Sequence, residues 1–468
     1  MIELEFIGAA QTVTGSKHLL RTSRANVLLD CGLFQGHRRE AAERNKRLPI
    51  DVESLHAVVL SHAHIDHSGA LPVLARRGYR GPVYTTPATR DLCVPMLLDA
   101  ASLQEADAKH IEKLIARGVR GLDPVEPLYT RDDVIGLLEH VLAVPYHHRQ
   151  RIAPGIELTF LDAGHVLGSA IVVLDIEDEG TTTRLAFTGD LGRPHLPILR
   201  DPEIPDGVHH LLSESTYGDR LHGPIEDTSN ELAAAVTRTH ARGGKVIVPS
   251  FALERAQEII YELKLLRAAN RIPALPVYVD SPLTVKLTDV FKLHPECYSR
   301  DTYELLHGGN SPFDFDELHY VSEVEQSKAI DAERHPCIII SASGMCEGGR
   351  ILHHLRATVE DAKNTILIVG FQAQHTLGRR LVERRPEVRI FGIMHTLAAE
   401  VVVLDGFSAH ADQQGLVDFA ERVRANGELR QVMLVHGEPP AQRVLAELLA
   451  RRGFASVRAP EPGERIRL

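Results

Sequence analysis

Ser61-His62-Ala63-His64-Ile65-Asp66-His67 places four metal-ligating side chains in one short segment. Imidazole and carboxylate are donors that suit zinc and similar divalent ions. The preceding Ala57-Val58-Val59-Leu60 is wholly apolar and reads as a buried strand that stops at Ser61. Residues 62–67 read as the loop beyond it, and Gly69-Ala70-Leu71-Pro72-Val73-Leu74 as the following helix. His62 and His64 are two positions apart and can face one point. Asp66 and His67 come after the bend and can face a second. The spacing therefore predicts two adjacent metal ions. A solvated histidine-rich loop is the plain alternative, and four donors directly behind a buried strand weigh against it.

Other strand ends carry similar residues. Residues 3–8 and 25–29 are strand-like, with Thr12-Val13-Thr14-Gly15-Ser16 between them, and the second runs into Asp30-Cys31-Gly32. Residues 156–161 alternate as a strand before Asp162-Ala163-Gly164-His165-Val166-Leu167-Gly168-Ser169-Ala170. Residues 183–188 form another before Gly189-Asp190-Leu191-Gly192. Alone, Asp30 or Asp190 reads as a turn aspartate and His165 as a structural histidine. Together with the His62 segment they share one position, the loop after a strand, where ligands converge at one edge of stacked sheets.

A chain of 468 residues predicts two or three domains. With 44% hydrophobic and 25% charged residues it has globular composition. No basic, apolar leader opens the sequence, and no apolar run is long enough to span a membrane. The five cysteines are scattered without a C-x-x-C pair, which points to reduced thiols in the cytoplasm and away from cysteine-held zinc. The net charge of −11 argues against a general nucleic-acid binder. A positive cleft can still sit on an acidic protein, because the field follows charge distribution.

The second half alternates strands with helices. Residues 245–248, 276–279, 337–340 and 365–369 read as strands, and 231–240, 256–268 and 349–355 as helices. That alternation predicts a second α/β domain. Ser341-Ala342-Ser343-Gly344 enters a helix and can offer N–H groups to a phosphate, although by itself the loop is weak evidence and a plain turn is the stronger reading. Glu214 ends a strand-like approach, His410 lies in Gly406-Phe407-Ser408-Ala409-His410-Ala411-Asp412, and His436 follows the strand Val432-Met433-Leu434-Val435.

The series Asp30, His62-x-His64-x-Asp66-His67, His165 and Asp190 resembles motifs one to four of the metallo-β-lactamase superfamily. Glu214, His410 and His436 resemble motifs A, B and C of its β-CASP branch. So do the stretches Glu214-Ser215-Thr216-Tyr217-Gly218, Phe251-Ala252-Leu253-Glu254-Arg255-Ala256-Gln257, Gly370-Phe371-Gln372-Ala373 and Leu434-Val435-His436-Gly437-Glu438. One departure is His375, where glycine is common before Thr376-Leu377-Gly378-Arg379.

The resemblance implies an α/β protein, an αββα sandwich with an inserted α/β β-CASP domain whose parallel sheet is flanked by helices. The expected boundaries are 1–207 for the first part of the sandwich, 208–393 for the insertion and 394–468 for the remainder. The layout resembles the compact bacterial form, related to the cleavage subunit of the polyadenylation machinery, with no added N-terminal RNA-binding module or C-terminal domain.

The resemblance also implies roles. His62, His64 and His165 would hold one zinc ion, and Asp66, His67 and His436 a second, bridged by Asp190. Asp30 would orient ligands and the attacking water, and Asp66 counts with the catalytic residues. His410 would contact the scissile phosphate and protonate the leaving oxygen, with Glu214 fixing its tautomer. Ser343 and Gly344 are the further expected phosphate contacts. The implied function is a ribonuclease with two zinc ions per chain, cleaving single-stranded RNA by metal-activated hydroxide to leave 5′-phosphate and 3′-hydroxyl ends. Endonuclease cleavage is expected, exonuclease action stays open, and a homodimer is compatible with this reading. The alternatives are a hydrolase of small esters or thioesters, a DNA-directed β-CASP nuclease, and a silent binding module. DNA-directed members tend to carry valine where this chain has His436.

Overall fold

The computed structural model describes residues 1–468 except His37, Arg120, Leu122 and Phe371, and leaves the side chains of Arg38, Arg39 and Asp405 undescribed. The chain divides into two compact units. Met1–His195, Arg200–Leu221 and His410–Leu468 form the first; Leu196–Leu199 and His222–Ala409 form the second.

The first unit holds two seven-stranded sheets. One runs, edge to edge, Arg465–Arg467, Glu3–Gly8, Lys17–Arg21, Asn26–Leu29, Ala57–Val59, Val83–Thr85 and Val141–Ala143. The other runs Val457–Arg458, Gln431–Val435, His210–Glu214, Thr181–Phe187, Ala170–Asp178, Ile156–Asp162 and Gln150–Ala153. Alternate residues of Glu3–Gly8 and Ile156–Asp162 are buried, the period-two pattern of strands with one face inward. Leu4, Phe6, Val27, Leu29 and Val59 thereby join Phe160, Val172, Phe187, Leu212 and Val435 in one core. Truncating a ring such as Phe160, fully buried there, costs about 3–5 kcal/mol. The outer face of the second sheet is covered by Gln413–Ala425 and Pro439–Arg451, through Leu416, Phe419, Val423, Leu445 and Leu449. On the other sheet, Leu71–Arg76, Pro87–Ala116 and Arg131–Leu138 supply the helices, the long one opened by Thr86 accepting from Thr89 N–H with Pro87 behind it. The result is the expected αββα sandwich.

The second unit is built on a six-stranded, all-parallel sheet ordered Leu318–Val321, Val277–Asp280, Ile338–Ser341, Val246–Pro249, Thr365–Ile368 and Glu400–Val403. Its central strands are buried at every position, as strands covered by helices on both faces must be. A small hairpin pairs Glu387–Ile390 with Ile393–Thr396. Among the described residues, no helix is long and apolar enough to cross a membrane.

The division of the chain differs from the expected boundaries at 207/208 and 393/394. His210–Glu214 pairs with both Thr181–Phe187 and Gln431–Val435, so the chain leaves the first unit only after Leu221. Glu400–Val403 pairs in parallel with Thr365–Ile368, which keeps the chain in the second unit until His410. Two local expectations also change. Lys17–Arg21 is a strand that the sequence reading passed over, and Asp66 and His67 lie in a one-turn helix, Ile65–Ser68, rather than in an open loop.

Candidate metal centre

The donor residues cluster where strands of both sheets of the first unit end. Asp30 follows Asn26–Leu29 and His436 follows Gln431–Val435, both with left-handed backbone (φ 57° and 47°). Aspartate and histidine tolerate that region better than most residues, and it redirects the side chain out of the strand's alternation. Gly32 is required by close approach, since a Cβ there would meet the Asp66 carbonyl oxygen at 1.5 Å. The turn after Asp30 and the one-turn helix with Asp66 are therefore pressed together.

Asp30 is fully buried and organises this corner. Its Oδ1 accepts from Ser61 N–H at 2.8 Å, and its Oδ2 accepts from Ser16 Oγ and Ser61 Oγ, each at 3.0 Å. The same Oδ2 lies 2.7 Å from His67 Nδ1. A carboxylate there fixes the Nδ1–H tautomer and leaves Nε2 with a lone pair directed inward.

Two groups of donors then face two points. In the first, His62 Nε2 and His64 Nδ1 are 3.1 Å apart, His64 Nδ1 and His165 Nε2 3.4 Å, and Asp190 Oδ2 lies 3.5 Å from His62 Nε2 and 3.6 Å from His165 Nε2. In the second, His67 Nε2 and His436 Nε2 are 3.2 Å apart, His436 Nε2 and Asp66 Oδ2 3.4 Å, and Asp190 Oδ1 lies 3.3 Å from His67 Nε2. A tetrahedral zinc ion with ligands at ~2.0–2.1 Å has donor–donor edges of about 3.3–3.4 Å. Both groups fit that geometry, and Asp190 turns one oxygen to each.

Electrostatics differ among the donors. Burial holds His62 well below the ordinary imidazole range and pushes His64 down to about 4, which leaves both neutral. Burial also opposes charge on His67, but Asp190 and Asp30 outweigh it and raise its pKa. Burial disfavours the Asp190 carboxylate, yet His436, His67 and His410 hold its pKa well below the carboxylate range.

Beside these groups stands a third. His410 Nδ1 is 2.9 Å from Glu214 Oε1, and its Nε2 is 4.0 Å from Asp190 Oδ2. Glu214 is the last residue of its strand and fully buried; Oε1 also accepts from Leu191 N–H at 2.7 Å and Oε2 from Thr216 N–H at 3.2 Å. Burial works against charge on His410, but Glu214 and Asp190 raise its pKa to about 9.

All ten expected residues at positions 30 to 436 of this centre meet in the first unit: Asp30, His62, His64, Asp66, His67, His165, Asp190 and His436, with His410 and its partner Glu214 alongside. Ser343 and Gly344 belong to the second unit, where Ser343 Oγ accepts from Glu347 and Gly348 N–H. Within the quoted Gly370-Phe371-Gln372-Ala373 stretch, Phe371 lies outside the described residues. Sequence reasoning missed the supporting hydroxyls. Ser16 and Ser61 hold Asp30, Ser169 Oγ accepts from His165 N–H at 3.0 Å, and Thr216 Oγ1 lies 3.1 Å from His436 Nδ1. It also missed Lys17, which is buried and donates to the Gly32 carbonyl; burial pulls its pKa down to about 8. Each stands within a few residues of a quoted motif or strand end, the one signal available for finding them.

Three family models match the chain: the metallo-beta-lactamase superfamily over residues 15–236, the Beta-Casp domain over 256–381, and the Zn-dependent metallo-hydrolase RNA specificity domain over 394–460. A protein named as a ribonuclease from Thermus thermophilus is 40% identical over 446 residues, covering 95% of each chain. Proteins named transcription termination factor FttA are similar as well. That of Methanosarcina mazei is 32% identical, covering 100% of this chain and 72% of its own, and that of Pyrococcus abyssi is 34% identical, covering 100% and 71%. A crystal structure of a protein of unknown function from Enterococcus faecalis shares the fold, with a TM-score of 0.55, 13% identity and full coverage of both chains.

Proposed function

The chain belongs to the metallo-β-lactamase superfamily, in its β-CASP branch, and from that premise we propose that it is a zinc-dependent ribonuclease acting on single-stranded RNA. His62, His64 and His165 are assigned to one zinc ion, Asp66, His67 and His436 to a second, and Asp190 to both. Bound zinc supplies a water nucleophile at neutral pH, lowering its pKa from ~15.7 to about 7, and neutralises charge developing on the phosphate. Asp30 keeps His67 in one tautomer and, with Ser16 and Ser61, fixes the corner from which Asp66 projects. His410, with its proton on Nε2, donates to the leaving 3′ oxygen, so the ends are 5′-phosphate and 3′-hydroxyl. Glu214 takes the Nδ1–H and favours the protonated ring. The loop at Ser343 and Gly344 is assigned to a substrate phosphate.

The observation that carries this reading is the His410–Glu214 pair beside Asp190. Metal-assisted attack on a small ester or thioester needs no such acid, whereas a phosphodiester has a poor leaving group that does. The buried free thiols Cys31, Cys93, Cys337 and Cys346 support a reducing compartment, and we place the protein in the cytoplasm. The test is a substrate panel for the zinc-loaded protein: single-stranded RNA, single-stranded DNA, a phosphodiester dye and acyl thioesters. Preferential RNA cleavage is expected. Thioester turnover with intact RNA supports the small-molecule hydrolase instead.

A further inference from the structure

The hairpin of the second unit turns at Phe391-Gly392, and both residues have left-handed backbone (φ 49° and 81°). Glycine adopts that conformation freely, while a bulky side chain is strained in it. Phe391 is also 48% exposed. A large ring that is both strained and wet is unfavourable for folding, which makes the position a candidate for function.

The ring is nevertheless held in place. It lies 4.7 Å from the His353 ring, tilted by 47°, and the Arg356 guanidinium carbon is 5.4 Å from its centroid. His353 and Arg356 are three residues apart on the helix Ile351–Thr358, so they share a face, and both are exposed. Ile351, His354 and Leu355 anchor that helix in the core, and Val388 and Ile390 anchor the hairpin. Arg389 is exposed on the same hairpin, opposite Met394. Neither Arg356 nor Arg389 has an ion pair among the described residues, on a chain whose net charge is −11. The nearby acid Glu360 is engaged by His395 at 3.1 Å.

We propose that Phe391, flanked by His353, Arg356 and Arg389, is a platform on which an unpaired base of single-stranded RNA stacks, outside the candidate metal centre. A half-exposed aromatic ring next to guanidinium groups that have no ion pair among the described residues matches this ligand: every base offers a π face, and the cations meet the backbone or the base. The inference rests on the ribonuclease reading.

The test measures affinity and chemistry separately in the full-length protein. Binding of a fluorescent single-stranded RNA of about 16 nucleotides is followed by anisotropy in a His410→Ala background, with Phe391→Ala, Phe391→Tyr and Arg356→Ala added singly. Hydrolysis of bis(p-nitrophenyl) phosphate is followed in the corresponding proteins that retain His410. Phe391→Ala is expected to weaken RNA binding about tenfold, Phe391→Tyr to restore it, and dye-ester hydrolysis to be unchanged. Arg356→Ala is expected to weaken binding in the same direction, which keeps the test decisive if Phe391→Ala fails to fold. RNA affinity within twofold of the parent in both alanine variants overturns the platform. A parent that binds no RNA overturns the ribonuclease reading, and the platform with it.

Discussion

His410 Nδ1 lies 2.9 Å from Glu214 Oε1, although 196 residues separate them in the chain. Among the described residues, the other hydrogen bonds of the Glu214 carboxylate come from the backbone N–H groups of Leu191 and Thr216, so its effect on chemistry runs through His410. His410→Ala should lower RNA cleavage by about 10²–10⁴-fold while zinc content stays unchanged. Single-turnover cleavage and metal analysis of the same samples check this; zinc loss in step with activity would reassign His410 as a ligand.

Glu214→Gln should change the pH profile. Glu214 is the leading partner that raises His410 to about 9 against the effect of burial. A general acid works in its protonated form, so activity falls as pH rises through that value. Without the carboxylate charge the fall should begin at lower pH, and the variant should lose more activity at alkaline than at neutral pH. An unshifted alkaline limb in the kcat/KM profile contradicts the assignment.

His436→Ala should retain zinc at His62, His64, His165 and Asp190 and lose it at Asp66 and His67, because the two donor groups share only Asp190. Metal analysis after dialysis should give about one zinc per chain where the wild type gives about two. Loss of all metal, or of none, contradicts two separate groups.

Asp30→Asn preserves volume but replaces the carboxylate facing His67 Nδ1 at 2.7 Å. Removing such an outer partner typically lowers metal affinity about 10–100-fold. Competition against a chromophoric chelator measures it, and unchanged affinity would reduce Asp30 to a packing role.

His354, in the second unit, gives a separate pH effect on stability. Its Nδ1 is 2.7 Å from Asp331 Oδ1 and its Nε2 is 2.7 Å from Asp280 Oδ2. Burial opposes its charge, yet hydrogen bonds to Asp280 and Asp331 raise its pKa above the ordinary value. A raised imidazole contributes stability that is complete below about pH 6.5, its unfolded value, and lost as pH rises through the folded value. Urea midpoints should therefore fall on the alkaline side in wild type, and His354→Phe should flatten that dependence.

The donor set was legible because metal ligation demands few residue types in fixed places. Asp30, His62, Asp190 and His436 each stand just beyond a buried run, and the run is visible in the sequence. Glu214 was legible as a strand end, but its contact with His410 follows from the isolated bridges that join Gly192 to His410 and Tyr217 to Asp412, which local pattern does not carry. The strand Lys17–Arg21 escaped because four of its five residues, Lys17 and His18 among them, are buried, so no polar alternation marks it. The boundary at His410 escaped for a similar reason: Glu400–Val403 looks like any short apolar strand, and only its pairing with Thr365–Ile368 assigns it to the second unit. The serines around Asp30 gave no signal of their own, since a hydroxyl at a turn usually serves the turn.

The most direct test titrates metal-free protein with zinc and follows cleavage of end-labelled single-stranded RNA, with product ends read against defined markers. Cleavage should be absent without metal and rise to its maximum as the second equivalent binds, leaving 5′-phosphate and 3′-hydroxyl ends. Intact RNA in the presence of fully loaded protein, or full activity in protein holding less than one zinc per chain, would contradict a two-metal ribonuclease.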